Sequence, residues 1–316
     1  MNSAILEVLG VVWDGLLRMG PYALAGVALS ALIKTWKLDR RLWVILNRGG
    51  GWVIFLAAAA GIFSPLCSCG ILPIAITLLE AGSPLGPAMA LLISAPIVDP
   101  ASIMVSYSAL GIPLTIAKIT GALAMGLFAG FAAKWLTEAG LIDGENPWNG
   151  APRRGYCDAK IDPSAPQKVP IDTVLSDRKV PFFFARAKDT LLIVGKFLLI
   201  ALLIQGIIEA FVPANWIYAL AGKGRFSVVY SALIGIPLPI NGLSAVPIVK
   251  GMMDTGHIGF GPAVAFMIAG PVTSIPAMAA MLGMMKKRIF VLYVTVSLVG
   301  SIALGYLWQY IWQVTR

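Results

Sequence analysis

Apolar stretches alternate with short polar ones along the whole chain, and they predict ten helical membrane elements in two sets of five. Two elements in each set are shorter than the roughly 20 residues that a spanning helix needs, so each short pair is expected to form a re-entrant hairpin. The first set comprises 4–33, 52–65, 71–81, 86–110 and 114–136, with the hairpin at 52–81. The second comprises 190–212, 226–237, 243–253, 261–285 and 289–312, with the hairpin at 226–253.

Glycine and proline recur in the same order in both sets, which predicts an internal repeat, since chance similarity between apolar segments would not preserve these two residue types. Each half then has three spanning helices and one hairpin, and this odd number of crossings inverts the second half. The expected fold is an all-α polytopic membrane protein of two inverted-topology repeats with eight to ten helical membrane segments. The paired residues are Pro65 and Pro237, Gly70 and Gly242, Pro73 and Pro247, Gly86 and Gly261, and Pro96 and Pro271.

Residues 1–137 are the expected first membrane repeat, and residues 189–316 the second. The polar segment 138–188 is rich in proline and is typical of a flexible linker. Basic residues concentrate on the face of the membrane that carries this linker, so the linker is expected in the cytoplasm and both termini outside. The expected location is the inner cell membrane, in several passes.

Composition supports this interpretation, since 58% of the residues are hydrophobic and only 12% are charged, about half the charged fraction of a soluble domain. The net charge of +9 orients the apolar segments rather than indicating nucleic acid, which is not an expected partner. A single histidine, His257, excludes a zinc hydrolase site built on paired histidines. We expect no cofactor and no enzyme activity, and the lipid bilayer is the expected surrounding; the sequence is compatible with a homo-oligomer.

Two of the three cysteines, Cys67 and Cys69, flank Ser68 at the predicted tip of the first hairpin. Thiolates bind soft metal ions and exchange onto trivalent arsenicals, so these residues are candidate substrate ligands, or metal ligands where the cargo is a metal ion. The alternative is that both cysteines are small apolar filler at a crowded turn. Cys157, in the linker, is better interpreted as an incidental exposed cysteine than as a thiol that hands on a metal.

Asp99 lies between Pro96 and Pro100, where two prolines four residues apart are expected to break the helix. An ionisable group near the middle of a span is costly and often functional, so Asp99 is a candidate for cation binding or proton uptake. It is equally a candidate cap for the helix that starts at Pro100. The corresponding break after Pro271 carries hydroxyl groups instead.

Asn241 and Ser244 lie opposite the cysteines by pseudo-symmetry and are candidate substrate contacts. Equally, these side chains satisfy backbone groups at a tight turn. Lys118 lies near a predicted helix end, where its side chain is expected to extend to the membrane surface.

The run from Ser64 to Pro73, the later break at 94–96, the tip at 237–242 and the variable linker together resemble the ArsP-type family of predicted permeases. The resemblance implies efflux. Some members are associated with trivalent organoarsenicals and others with copper or zinc resistance, and the cysteines implicated in substrate recognition map onto Cys67 and Cys69.

The expected function is therefore export of a small thiophilic species, most concretely a trivalent (organo)arsenical, from the cytoplasm across the inner membrane. Cys67 and Cys69 would capture the substrate, and Asp99 would couple the cycle to protons or another ion. A copper or zinc exporter is the first alternative. An intramembrane thiol-dependent enzyme and a non-transporting subunit of a complex are alternatives of another class.

Overall fold

The regular elements of the computed structural model are α-helices wherever the chain is described. The described residues are 51–64, 71–72, 74–75, 78–79, 83–141, 224, 226–236, 242–274, 277–278, 281–282 and 285–315, with Gly10, Leu24, Gly195 and Leu199. In the first half the helices are α1 (Gly51–Phe63), α2 (Leu85–Ile97), α3 (Pro100–Leu110) and α4 (Ile112–Glu138). In the second they are α5 (Ser227–Ile234), α6 (Ala245–Asp254), α7 (Phe260–Thr273) and α8 (Lys287–Val314).

The predicted order of helices is confirmed within the described ranges. The predicted element at 86–110 is present as α2 and α3, which are bent by 44° across a short break. The predicted elements at 4–33 and 190–212 and the linker lie outside the described residues apart from isolated positions.

Two helices of the described part are long and apolar enough to cross a membrane. These are α4, with 27 residues, and α8, with 28. At 1.5 Å per residue each is about 40 Å long, against about 30 Å of hydrocarbon. The bent pair α2–α3 passes the same test only when its two helices are taken together.

The centre of the molecule consists of α2 and α7, in which every residue is buried. They contact one another and pack against α4 and α8, and one apolar core extends through both halves. Large apolar side chains on the outer helices remain exposed, among them Phe128, Trp135 and Tyr310. This distribution suits a molecule whose surroundings are lipid.

The packing of α1 against α2 recurs in the packing of α5 against α7. One small apolar cluster holds each helix pair together. Each member of the first cluster is separated from its counterpart in the second by a nearly constant number of residues. The corresponding residues are Ile54 and Val228, Ala58 and Ala232, and Ala90 and Ala265.

A glycine allows the long helix to approach both partners in each half. A Cβ added at Gly130 of α4 would clash with Ile54, and one at Gly305 of α8 would lie 2.6 Å from Val228 Cγ1. The backbone carbonyls of Gly86 and Gly261 complete the two contacts. Gly86 and Gly261 are paired in the sequence repeat, so the same close helix contact is built twice.

We predict that Gly305→Ala destabilises the protein by about 1–3 kcal/mol, because its methyl group overpacks a site bounded by Val228 and Ala265. Gly130→Ala should have a similar effect. Gly251→Ala, on the open side of α6, is the matched control and should be neutral or slightly stabilising. Thermal unfolding of the purified variants in detergent measures the difference. Equal stability of Gly305→Ala and Gly251→Ala would contradict the close contact.

Candidate functional site

The break between α2 and α3 is closed by a capping box. Pro100 has no N–H to donate to the carbonyl of Pro96, so the helix cannot continue through this point. Asp99 Oδ1 accepts from the Ser102 N–H at 2.7 Å, and the Asp99 N–H donates to Ser102 Oγ at 3.1 Å. The prediction that Asp99 caps the helix starting at Pro100 is confirmed.

Gly242, from the second half of the chain, lies directly against this break. A Cβ at Gly242 would lie 3.0 Å from the carbonyl oxygen of Ile97 and 3.2 Å from both the Pro96 oxygen and Asp99 Oδ2. A side chain at this position would push into backbone, which has little room to yield. The absence of a side chain therefore lets the second half reach the break of the first.

Lys118 joins the same place from α4. The residue is 1% exposed, and its Nζ donates to the carbonyl oxygen of Gly242 at 2.8 Å and to Ser106 Oγ at 3.3 Å. The Asp99 carboxylate attracts the Lys118 ammonium electrostatically. The prediction that Lys118 extends to the membrane surface is therefore wrong. Its long side chain turns inward because oxygen atoms from α3 and from the segment before α6 replace water around the charge there.

We call Asp99, Ser106, Lys118 and Gly242 the junction site. It brings together one carboxylate, one ammonium, one hydroxyl and one backbone carbonyl, so its formal charges balance. Three of the four residues are buried and Asp99 is half-buried. The first half supplies the side chains and the second half supplies the backbone.

The second half satisfies its own break with a different donor. The carbonyl of Val272 would normally accept from residue 276, which is a proline without an N–H. Tyr293 of α8 is buried, and its hydroxyl donates to this carbonyl at 2.8 Å. Tyr293 and Lys118 occupy corresponding positions in the alignment that pairs Gly130 with Gly305. Equivalent positions in the two long helices thus both carry a buried donor.

Five of the predicted backbone-breaking residues fall within the described part of the chain. Pro96 and Pro271 lie near the ends of α2 and α7, and Pro247 lies in the first turn of α6. Pro100 begins α3, and Gly242 belongs to the junction site. The other four lie outside the described residues: Pro65, Gly70, Pro73 and Pro237.

Of the six predicted substrate contacts, the structure describes Asp99 and Ser244. Ser244 is half-buried directly before α6. The remaining four lie outside the described residues: Cys67, Ser68, Cys69 and Asn241. Among the side chains that the structure does place, no group of three or more His, Cys, Asp or Glu is arranged to hold a metal ion.

Sequence reasoning missed Lys118, because apolar residues lie on every side of this helix and no stripe in the sequence marks its buried face. Residues one helical turn before and after it, Leu114 and Ala122, are both buried in the core. A lysine between them lies on the inward face of α4, because residues four apart share a face of a helix. The packing of α4, rather than its sequence, therefore reveals the face on which Lys118 lies.

We predict that Ser102→Ala lowers stability by about 1–2 kcal/mol, because the Asp99 N–H loses its acceptor at a partly buried helix start. Ser108→Ala, in the same helix, is the matched control, since its exposed hydroxyl bonds only locally to the Val105 carbonyl. Thermal unfolding measures both. A loss in Ser102→Ala no larger than in Ser108→Ala would show that the capping box contributes nothing.

The chain is similar to predicted membrane permeases over nearly its whole length. The profile of the ArsP_1 family, described as "Predicted permease", matches residues 8–310. UPF0718 protein YcgR of Bacillus subtilis is 24% identical over 297 residues, which cover 93% of this chain and 94% of that protein. UPF0718 protein MJ0584 of Methanocaldococcus jannaschii is 23% identical over 300 residues, 80% of each chain.

A Streptococcus mutans protein named "Putative two-component membrane permease complex subunit" is 21% identical over 300 residues, 94% of this chain and 93% of that protein. No solved structure matches the chain at a significant level.

Proposed function

The chain belongs to the ArsP_1 family of predicted permeases, and we propose that it exports small thiophilic species, most concretely trivalent (organo)arsenicals, from the cytoplasm. Family membership supports a transporter role in a multi-pass membrane protein. The substrate, the direction and the coupling are our proposals.

The junction site is the observation that carries the proposal. Transporters with repeated halves bind their substrates where broken helices of the two halves meet. Here the residue at the second predicted hairpin tip, Gly242, lies against the break at Asp99. The recurrence of the α1–α2 packing in α5–α7 supports two repeats, and the sequence-based crossing count makes the second one inverted.

The predicted tip of the first hairpin, which carries Cys67 and Cys69, also fits this arrangement. Gly70 corresponds to Gly242 in the sequence repeat, and the break after α7 corresponds to the break after α2. By pseudo-symmetry we place Cys67 and Cys69 near the second break, where the hydroxyl groups of Thr273 and Ser274 are buried. Two thiols at such a crossing would each form an As–S bond with a trivalent arsenical and displace an As–OH group as water. Hydrolysis of the two As–S bonds would return the thiols and release the arsenical.

Asp99 is the proposed coupling group. Its Oδ1 holds the cap of α3, while Oδ2 faces the backbone of the second half at Gly242. Protonation of Asp99 would remove the charge that attracts Lys118 and so loosen the contact between the halves. Loss of a proton would restore it, which gives a gradient a physical means to drive the cycle.

We predict that Cys67→Ser/Cys69→Ser abolishes accumulation of methylated arsenite in everted vesicles, because a hydroxyl group neither exchanges with arsenic nor matches a thiolate as a soft ligand. Cys157→Ser is the matched control, since Cys157 is the chain's third cysteine and lies in the predicted linker. Both variants must reach wild-type levels in the membrane. Full accumulation by the double variant would refute thiol capture.

Parallel uptake of copper and zinc salts separates the leading proposal from the metal exporter. A proton-coupled arsenical exporter should accumulate the arsenical when a proton gradient is imposed, and it should leave both metals outside with or without the gradient. Accumulation of a metal that also requires Cys67 and Cys69 would reassign the cargo while keeping the site. Chemical turnover of a thiol substrate by the purified protein without vesicles would instead indicate an intramembrane enzyme.

A second candidate is a subunit that acts only within a complex. The Streptococcus relative carries such a description in its name, and it aligns with nearly all of this chain. We would then expect a stoichiometric membrane partner to co-purify, and the purified chain alone to be inactive in proteoliposomes. Activity of the chain alone would exclude an obligatory partner.

A further inference from the structure

The ammonium of Lys118 occupies a position built from cation ligands. We infer that the junction site is a monovalent cation site which this chain fills with its own lysine. Nothing in this inference depends on the identity of the transported species.

The atoms around Lys118 Nζ are those that bind alkali cations in proteins. The carbonyl oxygen of Gly242 lies at 2.8 Å and Ser106 Oγ at 3.3 Å, and the Asp99 carboxylate supplies the opposite charge. Both acceptors are hard oxygen donors, which suit alkali cations better than they suit soft metals. Among the described residues, Asp99 is the charged group that acts on Lys118.

The ligands come from both halves, so whatever occupies the site holds the halves together. Ser106 and Asp99 belong to the segment around α3, and Gly242 precedes α6, which packs against α3. Without a cation, the half-buried Asp99 carboxylate would lose its counter-charge, and the buried oxygen atoms of Gly242 and Ser106 would lose their donor, which is unfavourable. A tethered ammonium removes the need to collect an ion from solution. Lys118 is thus a positioning residue for the contact between the halves.

The experiment removes the tethered cation and supplies a free one. Lys118→Ala opens the space that the side chain filled, whereas Lys118→Met fills most of the same space without charge. Lys134→Ala is the matched control, because Lys134 lies in the same helix, is partly exposed and pairs with Glu138 at 3.8 Å. Thermal unfolding of each full-length protein in detergent is followed in lithium, sodium, potassium and choline chloride at equal ionic strength.

We expect wild type and Lys134→Ala to unfold at the same temperature in all four salts. Lys118→Ala should unfold several degrees lower in choline chloride and recover most of this loss, saturably, in one of the alkali salts. Lys118→Met should lose stability without recovering it, since its side chain leaves no room for an ion. The inference would be overturned if the unfolding temperature of Lys118→Ala were no higher in the alkali salts than in choline chloride. It would also be overturned if the alkali salts raised the unfolding temperatures of Lys118→Ala and Lys118→Met equally. Full stability of Lys118→Ala in choline chloride would overturn it as well.

A double variant decides the matter if the single Lys118 variants do not accumulate. Asp99→Asn keeps a good helix cap but removes the negative charge. If Lys118 acts as a cation, Asp99→Asn should restore expression and stability to Lys118→Met, with a combined effect smaller than the sum of the two single effects. A double variant as poor as that sum would show that Lys118 contributes only packing.

These measurements also separate the inference from the proposed function. Unfolding is measured without a substrate, so an alkali-responsive Lys118→Ala would stand even if the chain transported no arsenical. Conversely, arsenical uptake that required Cys67 and Cys69 would stand even if the Lys118 variants ignored the salts.

Discussion

The structure depends on one constraint: a helix that breaks inside an apolar environment exposes backbone groups that water cannot reach. This chain breaks two wholly buried helices, α2 and α7, near their prolines. Each break is therefore tolerated only if other segments supply the missing hydrogen-bond partners. The capping box at Asp99 does so for the start of α3, and the Tyr293 hydroxyl does so for the end of α7.

Glycine makes these partners reachable. A donor or acceptor on a neighbouring helix can serve a broken helix only if the two helices pack side by side, and glycine allows them to approach closely. Gly130 and Gly305 give the long helices α4 and α8 that approach, and Gly242 gives it to the second half at the first break. Close packing by small residues is also how membrane helices associate, since lipid gives them no hydrophobic drive to do so. The same residues therefore serve both stability and the geometry of the site.

Most of the helix order and the first break could be predicted from the sequence, because proline spacing and the length of apolar segments are local properties. The cap at Asp99 could also be predicted, since Asp before Pro at a helix start is a local signal. The sequence did not reveal the role of Lys118, whose acceptor Gly242 lies 124 positions away. Only the packing of α6 against α3 brings that carbonyl within reach. The placement of the cysteine tip remains a prediction because it lies outside the described residues.

The two halves of the chain differ in whether the residues at their breaks are charged. Tyr293 shows that a neutral hydroxyl is enough to satisfy a carbonyl at the position that Lys118 occupies in the other half. The predicted sequence repeat pairs Asp99 with Ser274, so the half with the neutral donor also has the neutral residue at the break. Backbone satisfaction alone therefore explains a donor at this position but not a charged one. The Asp99 carboxylate provides the counter-charge for the Lys118 ammonium, and the bond from Lys118 to the Gly242 carbonyl joins the two halves of the chain at the first break.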